Sequence, residues 1–401
     1  MPLNHMAEII FWISGFIIFY AYGGYGIFLF IFLKTRSLFG STKIVSDPFF
    51  EESLPEVCLI IAAYNEKDYV DQKIKNSLSL IYPPEKLSII WINDGSDDGT
   101  PELVARYPEV ILLHNPQRSG KIEGMNRGVE HSVAPILLFT DANTMLSPNS
   151  LMAVMRHFQD RTVGCVAGEK QFYKYKNQPV AAVGEGFYWK IESWLKQLDY
   201  QFYSAIGATG ELFAIRRELF QRVEPDTLLD DFMISMRVTL QGFRVAYEPT
   251  AIASENGSSN IREELKRKVR IAAGSYQSLL RLKKLLNPFF NTKLFFQYIS
   301  HKVLRWTLAP LALISLLVST VLILGSQQQI SAYSVYYLAF YLQAMFYGLV
   351  LFGLLTQSNP VRIKFIYSPF YFVAMNFAMF KGFVRFLKGR QSVLWEKSKR
   401  A

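Results

Sequence analysis

Long apolar runs at both ends of the chain enclose a central region in which short apolar runs alternate with helical patterns. Near the N-terminus, Ile9 to Leu33 contains no charged residue, and about 25 residues suffice for a helix to span a bilayer. The run is too long for a cleaved signal peptide, and no Lys or Arg precedes it. Because Lys34, Arg36 and Lys43 follow it, the positive-inside tendency predicts an external start and a cytoplasmic continuation.

Three apolar stretches after residue 306 predict further membrane helices. Two of them, Leu308 to Leu324 and Tyr333 to Leu355, are typical of spans joined by the uncharged external turn Gly325 to Ala332. The third, Phe365 to Phe380, is shorter, contains Pro369 and has basic residues on both sides. We therefore expect this third stretch not to cross the membrane.

The segment Asn287 to Trp306 mixes aromatic residues with Lys293, His301 and other basic residues. This pattern predicts a helix lying at the membrane surface, and a buried amphipathic helix is the open alternative. His301 has no neighbouring metal ligand in the sequence, so a structural role is expected for it.

The central 250 residues predict an α/β fold. Continuous apolar runs of strand length alternate with helical stretches, which is typical of a Rossmann-like, mostly parallel sheet with helices on both faces. Ligands bind beyond the carboxyl ends of such strands. The predicted strands are Val57–Ala63, Ser88–Ile92, Val110–Leu113, Ile136–Thr140 and Val163–Ala167. The predicted division is an N-terminal membrane helix (1–36), a catalytic domain (37–285), an interfacial helix (286–306), C-terminal membrane or re-entrant helices (307–385) and a basic tail (386–401).

Charge and cysteine content narrow the function classes. The chain has 43 Lys and Arg against 33 Asp and Glu, a net charge of +10. No nucleic-acid-reading motif accompanies this excess, so anionic lipid and a phosphorylated ligand explain it better than nucleic acid does. The two cysteines, Cys58 and Cys165, lie inside apolar runs, which argues against a disulfide framework and suits a reducing cytoplasm.

Polar clusters follow the first two predicted strands. Tyr64-Asn65-Glu66 comes directly after the first strand, and the acidic run Asn93 to Thr100 follows the second. The second cluster is not a calcium loop, because its twelfth position from Asp94 is Ala105. Asp94 stands at a strand end, where it could accept hydrogen bonds from a base or ribose.

Two further clusters suggest an anion and a metal ion. Arg118 to Lys121 precedes a helix, and cations at a helix start favour an arriving anion. The cluster is not a P-loop, since no Ser or Thr follows Lys121, and no G-x-G-x-x-G follows the first strand. Asp141 and Asn143 end the fourth strand and offer oxygen ligands suited to Mg²⁺ or Mn²⁺ bridging phosphates.

The downstream half adds an acidic pair and a basic helix face. Asp230 and Asp231 open a helix, where they could also serve only to complement the helix dipole. Arg267, Arg270 and Gly274 share one face of a later helix. A basic face near a membrane could equally bind lipid head groups.

Taken in order, these clusters resemble glycosyltransferase family 2, whose members have a GT-A fold. The resemblance covers Glu56 to Gly274 and implies a membrane enzyme similar to the synthases of cellulose, hyaluronan and poly-N-acetylglucosamine. It implies that the nucleotide donor is bound by Tyr64, Glu66, Asp94, Lys121 and Asp141, and that a metal ion is bound by Asp141 and Asn143 in place of D-x-D. It implies that Asp231, at the end of the T-E-D motif, is the catalytic base and that Arg270 also takes part in catalysis. It places Glu211, Asp230, Arg267 and Ile271 on the acceptor side.

Departures from the family pattern bear on metal binding and processivity. Asn143 replaces the second aspartate of D-x-D, which predicts a loosely held ion. Arg267 and Ile271 replace the Gln and Trp of Q-x-x-R-W, and the missing aromatic ring argues against processive polymerisation. Leu229 and Asp230 replace the Thr and Glu of T-E-D, which leaves the base itself intact.

The resemblance therefore implies a multi-pass enzyme of the cell (inner) membrane with a cytoplasmic catalytic domain. It would transfer a sugar, with inversion, from a nucleotide sugar to a lipid-linked or saccharide acceptor. UDP-sugars are the commonest donors of the family. A processive polysaccharide synthase is the first alternative. A transporter fits less well, because the best spans contain no charged residue, and a non-catalytic sugar-nucleotide-binding protein would not need Asp231 and Arg270. The oligomeric state is left open.

Overall fold

A mixed eight-stranded sheet forms the centre of the computed structural model, which describes residues 3–40, 54–173, 180–258, 260–326, 334–356 and 364–389. The five predicted strands are all present, and three short or late strands were not predicted. The strands are β1 (Val57–Ala63), β2 (Leu87–Asp94), β3 (Val110–Asn115), β4 (Ile136–Asp141), β5 (Met145–Leu146), β6 (Val163–Phe172), β7 (Phe213–Arg216) and β8 (Arg244–Glu255).

The sheet order is β3-β2-β1-β4-β7-β6-β8-β5. The half β3-β2-β1-β4 is entirely parallel, as predicted, and β6 pairs in parallel with β8. Strand β7 is antiparallel to both β4 and β6, and β5 is antiparallel to β8. The carboxyl ends of β1, β2 and β4 therefore meet at one edge, where the polar clusters follow them.

Fourteen α-helices lie in the described residues. They are α1 (Leu3–Phe19), α2 (Tyr25–Phe39), α3 (Val70–Leu78), α4 (Thr100–Val104), α5 (Lys121–His131), α6 (Ser150–His157), α7 (Val180–Phe202), α8 (Asp230–Leu240), α9 (Ile261–Arg281), α10 (Thr292–Tyr298), α11 (Leu304–Trp306), α12 (Leu308–Ser326), α13 (Val335–Leu355) and α14 (Lys364–Leu387). Apolar cores lie on both faces of the sheet, since Ile60 and Ile92 pack with Met125 of α5 on one face, and Leu59 packs with Ile74 of α3 on the other.

Four helical segments are long and apolar enough to cross a membrane: His5–Phe39, Leu308–Ser326, Val335–Leu355 and Tyr367–Leu387. The first joins α1 to α2 through a π-helical turn at Tyr20–Gly24. At 1.5 Å per residue its 35 residues extend for about 50 Å, which exceeds the roughly 30 Å hydrocarbon core. Residues 327–332 of the predicted external turn, Tyr333, Lys43, Arg362 and the tail 390–401 lie outside the described residues.

Helix α14 packs along α9, although its length and composition would also permit a span. Tyr371 of α14 donates a hydrogen bond of 3.0 Å to Glu264 of α9, and the ring of Phe383 lies 5.0 Å from that of Tyr276. Gly382 lies so close to Ala272 that a β-carbon would not fit there. The first half of α9 is densely charged, yet Tyr367–Leu387 is also a candidate span, so the expectation that this stretch does not cross the membrane stays a prediction.

The segment predicted to lie on the membrane surface buries one face against the protein. Helices α10 and α11 are joined by a π-helical turn at Ile299–Val303. Leu294, Tyr298 and His301 are buried, whereas Phe289, just before α10, is 95% exposed. One face of residues 292–303 therefore packs into the protein, and a position of this segment at the membrane surface stays a prediction. His301 lies 2.5 Å from Asp199 and 3.2 Å from Glu192, so its contacts are structural.

Candidate functional site

A cleft opens at the carboxyl ends of the parallel strands. It is bordered by the ends of β1 and β2 and by the start of α5, the position at which open α/β sheets bind ligands. Its lining residues are Ala62, Ala63, Tyr64, Ile92, Asp94, Arg118, Gly120, Lys121 and Gly124.

Asp94 orders the loop on one side of the cleft. Its two carboxylate oxygens accept hydrogen bonds from the backbone N–H groups of Ser119 (2.8 Å) and Gly120 (2.7 Å). Asp94 therefore holds the loop that leads to Lys121, which sequence reasoning did not anticipate. A direct contact between Asp94 and the donor remains a prediction.

Tyr64 and Glu66 follow β1, as predicted, but differ in position. The guanidinium of Arg118 lies 3.7 Å from the centre of the Tyr64 ring, so this pair forms one wall of the cleft. Glu66 is not among the residues that line it. The Glu66 backbone N–H donates to the hydroxyl of Thr100 at 3.1 Å, which ties this turn to the start of α4.

Lys121 lies between the cleft and the acidic pair Asp230 and Asp231. Its ammonium lies 2.7 Å from Asp141 and 3.1 Å from Asp230. Burial opposes the positive charge, but the two carboxylates outweigh it and raise the pKa of Lys121 above its usual value. Burial also raises the pKa of Asp141, and Lys121 counteracts this only in part. The structure thus brings together residues that are 20 to 110 positions apart in the sequence.

Asp231 stands at the start of α8 with one oxygen accepting the N–H of Phe232 at 2.7 Å. Burial, followed by the charge of neighbouring Asp230, raises its pKa to about 7. A β-carbon at Gly210 would lie 3.3 Å from the Lys121 ammonium and 3.6 Å from Asp231. Gly210 therefore occupies the space between these two groups, and its lack of a side chain leaves that space open.

Glu211, on the acceptor side, is held by two neighbours. Its carboxylate forms an ion pair with Lys170, which also pairs with Glu255 at 2.5 Å. Burial opposes ionisation, but Lys170 lowers the pKa of Glu211 to about 2. The backbone carbonyl of Glu211 accepts a 2.8 Å hydrogen bond from Thr140, the residue before Asp141. The acceptor-side segment is thereby fastened to the strand that carries the candidate metal ligand.

The two arginines of α9 have different environments. Arg267 is ion-paired with Glu185 of α7 and with Glu264, and these carboxylates raise its pKa against the effect of burial. It therefore connects two helices, and a contact with an acceptor remains only a prediction. Arg270 faces the acidic cluster: burial lowers its pKa, and Asp230 opposes this most strongly. Ile271 is half-buried beside it.

The residues predicted to bind a divalent ion suit an ion that is also bound by the phosphates of a donor. Asp141 keeps 27% of its side chain exposed, and Asn143 is half-buried two residues later. No group of three or more His, Cys, Asp or Glu side chains suited to a metal occurs in the described part of the chain. Mg²⁺ is commonly bound through one or two carboxylates together with substrate phosphates, and Asp141 and Asn143 match that arrangement.

The sequence did not reveal the role of Lys73, which binds the residues on both sides of Asp141. Its fully buried ammonium donates to the Thr140 hydroxyl at 3.0 Å and to the Thr144 carbonyl at 2.5 Å. Burial lowers its pKa to about 7. A lysine on the same helix face as Val70, Ile74 and Ser77, which are all buried, was the signal that could have identified it.

Comparisons with known proteins agree with this site. Residues 58–224 match the family described as glycosyl transferase family 2. Poly-beta-1,6-N-acetyl-D-glucosamine synthase of Staphylococcus aureus is 25% identical over 237 residues, which cover 57% of each chain. Probable glycosyltransferase YdaM of Bacillus subtilis is 26% identical over 258 residues, 60% of each chain. The chain thus matches less than two thirds of the length of these relatives.

A solved structure extends the comparison to nearly the whole fold. The mannosyltransferase of Pyrobaculum calidifontis, determined in complex with GDP-Man and Mn²⁺, is 20% identical. It covers 95% of this chain and 100% of its own, with a TM-score of 0.70. This likeness concerns the fold and supports the GT-A-like architecture. The family match over the strands that carry the cleft leads to one conclusion: the chain carries a glycosyl transferase family 2 domain of GT-A-like fold.

Proposed function

We propose that the chain is a membrane-bound inverting glycosyltransferase. It moves a sugar from a nucleotide-sugar donor, with a UDP-sugar expected, to a lipid-linked or saccharide acceptor at the cytoplasmic face of the cell (inner) membrane. The observation that carries the proposal is the position of Asp231, beside Lys121 and Asp230 across the open space at Gly210. The pKa of about 7 at Asp231 suits a general base.

The chemistry follows from these groups. Asp231 takes the proton of an acceptor hydroxyl while the oxygen of that hydroxyl attacks the anomeric carbon. The bond from this carbon to the leaving nucleoside diphosphate breaks on the opposite face. Displacement from the opposite face inverts the anomeric centre. A positioned base contributes roughly 10²–10⁴-fold to the rate. Lys121 and Arg270 are the cations that would stabilise the departing diphosphate.

Asp141 and Asn143 would hold the divalent ion, which supplies further positive charge at the diphosphate when bound. In the described structure, Lys121 already pairs with Asp141. Donor phosphates would compete with Asp141 for this ammonium. We therefore expect Lys121 to move from the carboxylate towards the phosphates when the donor enters.

Asp231→Asn is the direct test of this mechanism. Purified protein is offered a panel of nucleotide sugars, and release of nucleoside diphosphate is measured. Turnover should fall by roughly 10²-fold or more, with donor affinity largely retained. The exposed Asp226, paired with Arg281 at 2.6 Å, supplies the matched control Asp226→Asn, which should keep normal turnover.

Stability distinguishes lost chemistry from misfolding. Because the pKa of Asp231 is raised from 3.8 to about 7 in the folded protein, stability is lost as the pH rises between these two values, and the full cost is present at pH 8. Asp231→Asn should therefore be at least as thermostable as the wild type at pH 8. Near-normal turnover in a folded Asp231→Asn protein would remove Asp231 from the mechanism.

A processive synthase is the second candidate, favoured by the Staphylococcus aureus relatives named as polymer synthases. Ile271 offers no aromatic face at the position where the resembling synthases carry Trp. However, Trp306 packs edge-on at 5.4 Å against Phe232, the residue after Asp231. Addition of one or a few sugars remains our preferred reading. Sizing the product made from labelled donor tests it, because a long polymer formed while most acceptors stay unextended would contradict it.

A further inference from the structure

Helix α7 turns a polar face towards the protein, and its outward face is mixed, with Ile191 and Trp194 among the exposed Lys190, Gln197 and Gln201. Ile191 and Trp194 are 36% and 40% exposed. Leu195 and Leu198 pack with Tyr25 and Leu29 of α2, within the N-terminal membrane-helix candidate. The face towards the catalytic domain is polar and buried: Glu185, Glu192, Lys196 and Asp199 are at most 4% exposed. The contact with α2 places α7 beside a membrane-helix candidate.

The buried carboxylates of α7 all have partners. Glu185 pairs with Arg267. Glu192 pairs with Lys302 and lies 3.2 Å from His301. Asp199 accepts a 2.5 Å hydrogen bond from Tyr25 and contacts His301. Such pairing is the rule for buried charges, because an unpaired one is costly.

Lys196 is the exception on this face. It is 4% exposed, yet its ammonium makes no hydrogen bond or ion pair within 4 Å among the described residues. The centre of the Trp189 ring lies 5.5 Å from this ammonium. The Trp189 N–H is itself buried and has no acceptor in the part of the chain that the structure describes. Within that part, both of these neighbouring buried donors therefore lack an acceptor.

The surroundings of Lys196 connect it to the acceptor side. The ammonium of Lys170 lies 5.1 Å from the same Trp189 ring and is paired with Glu211. Ser193, between Trp189 and Lys196 on this face, donates to Glu169 at 2.7 Å. The Lys196 ammonium feels the charges of Glu192, Lys302, Glu169 and Glu211, and burial lowers its pKa.

We infer that Lys196 and the N–H of Trp189 bind the phosphate group of a lipid-linked acceptor. A phosphate oxygen would accept hydrogen bonds from both donors, and its charge would compensate the buried ammonium. Leu195 and Leu198 of the same helix pack against α2, within the N-terminal membrane-helix candidate, so a lipid chain in the bilayer would be close to this site. The inference rests on the proposed function and specifies its acceptor.

Binding of dodecyl phosphate to the purified full-length protein tests the site without any donor. Tryptophan fluorescence or calorimetry would follow a titration in dodecyl maltoside, which carries the same chain without phosphate. Wild-type protein should bind saturably, and Lys196→Met should bind at least about tenfold more weakly, since a charge-assisted hydrogen bond is lost. Lys190→Met, at an exposed position of the same helix, is the matched control and should bind as the wild type does.

Two further arms complete the experiment. Trp189→Phe keeps an aromatic ring but removes the N–H, so it should weaken binding even if Lys196→Met fails to fold. Competition by inorganic phosphate supports the phosphate site, and tighter binding of dodecyl phosphate identifies lipid as the source. Equal binding by folded Lys196→Met and wild type, or no saturable binding of either phosphate to wild type, overturns the inference. Because no nucleotide sugar is present, this outcome is independent of whether Asp231 is the base.

Discussion

Acidification should inactivate the enzyme by protonating Asp231. The pKa of this carboxyl is raised to about 7, first by burial and then by Asp230. A base must be ionised to accept a proton, so about one tenth of the enzyme is competent at pH 6 and about one hundredth at pH 5. The value of kcat/KM should therefore fall about tenfold for each pH unit below 7.

Asp230→Asn changes this profile in a predictable direction. Removing the neighbouring negative charge makes ionisation of Asp231 easier, so the acid limb should move to lower pH, by about one unit. A shift of one unit corresponds to about 1.4 kcal/mol. The loss of the ion pair between Asp230 and Lys121 should also lower the maximal kcat/KM at high pH. The pH of the acid limb reports only the pKa change, so it separates that change from the effect of the lost ion pair.

The assay measures nucleoside diphosphate release at subsaturating donor from pH 5 to 9, because kcat/KM reports the pKa values of the free enzyme. Asp226→Asn serves as the control for a lost surface carboxylate and should leave the limb in place. Wild-type kcat/KM that stays constant down to pH 5, or an Asp230→Asn limb at the wild-type pH, would refute the reasoning.

Three other variants test neighbouring parts of the site. Wild-type activity should vanish in excess chelator, and full activity there would exclude a role for the metal. The Asn143→Asp variant should need less metal for half-maximal rate, because a carboxylate replaces a neutral oxygen. Gly210→Ala should lower kcat/KM about tenfold without unfolding, since its β-carbon lies 3.3 Å from the Lys121 ammonium; a circular-dichroism melt checks the fold, and unchanged kinetics would contradict the open space. Ile271→Trp should lengthen products separated by gel electrophoresis, because an aromatic ring adds about 0.5–1.5 kcal/mol to sugar retention.

The parallel half of the sheet could be predicted because its signal is local. Val57 to Ala63 is a continuous apolar run, and every residue except Ala62 is buried in the structure. Polar residues that directly follow such strands must gather at one sheet edge, which is why Tyr64, Asp94 and Asp141 were correctly grouped. The antiparallel strands gave no such signal. Strand β5 has two residues and β7 has four, and their positions depend on pairing with distant segments.

The individual contacts at the site could not be predicted. Spacing alone does not show that Asp94 bonds the loop before Lys121, or that Arg267 is paired with Glu185 of a helix 82 positions away. Both contacts depend on how elements pack in three dimensions. The same is true of Asn287 to Trp306, whose mixed composition suits a membrane surface and a buried position equally well. The structure shows that part of this segment packs against α7, which its composition alone does not reveal.

The contacts of α9 have a consequence for how the enzyme must be handled. On one side, Gly382 of α14 lies against Ala272, and on another, a β-carbon at Gly274 would lie 2.7 Å from Leu229, which precedes the acidic pair. Close packing therefore runs without interruption from α14 through α9 to the segment that carries Asp231. A fragment cut before α14 would lose one wall of that packing. Catalytic competence should accordingly depend on the detergent or lipid that supports α14, and bilayer composition becomes a variable of the kinetics.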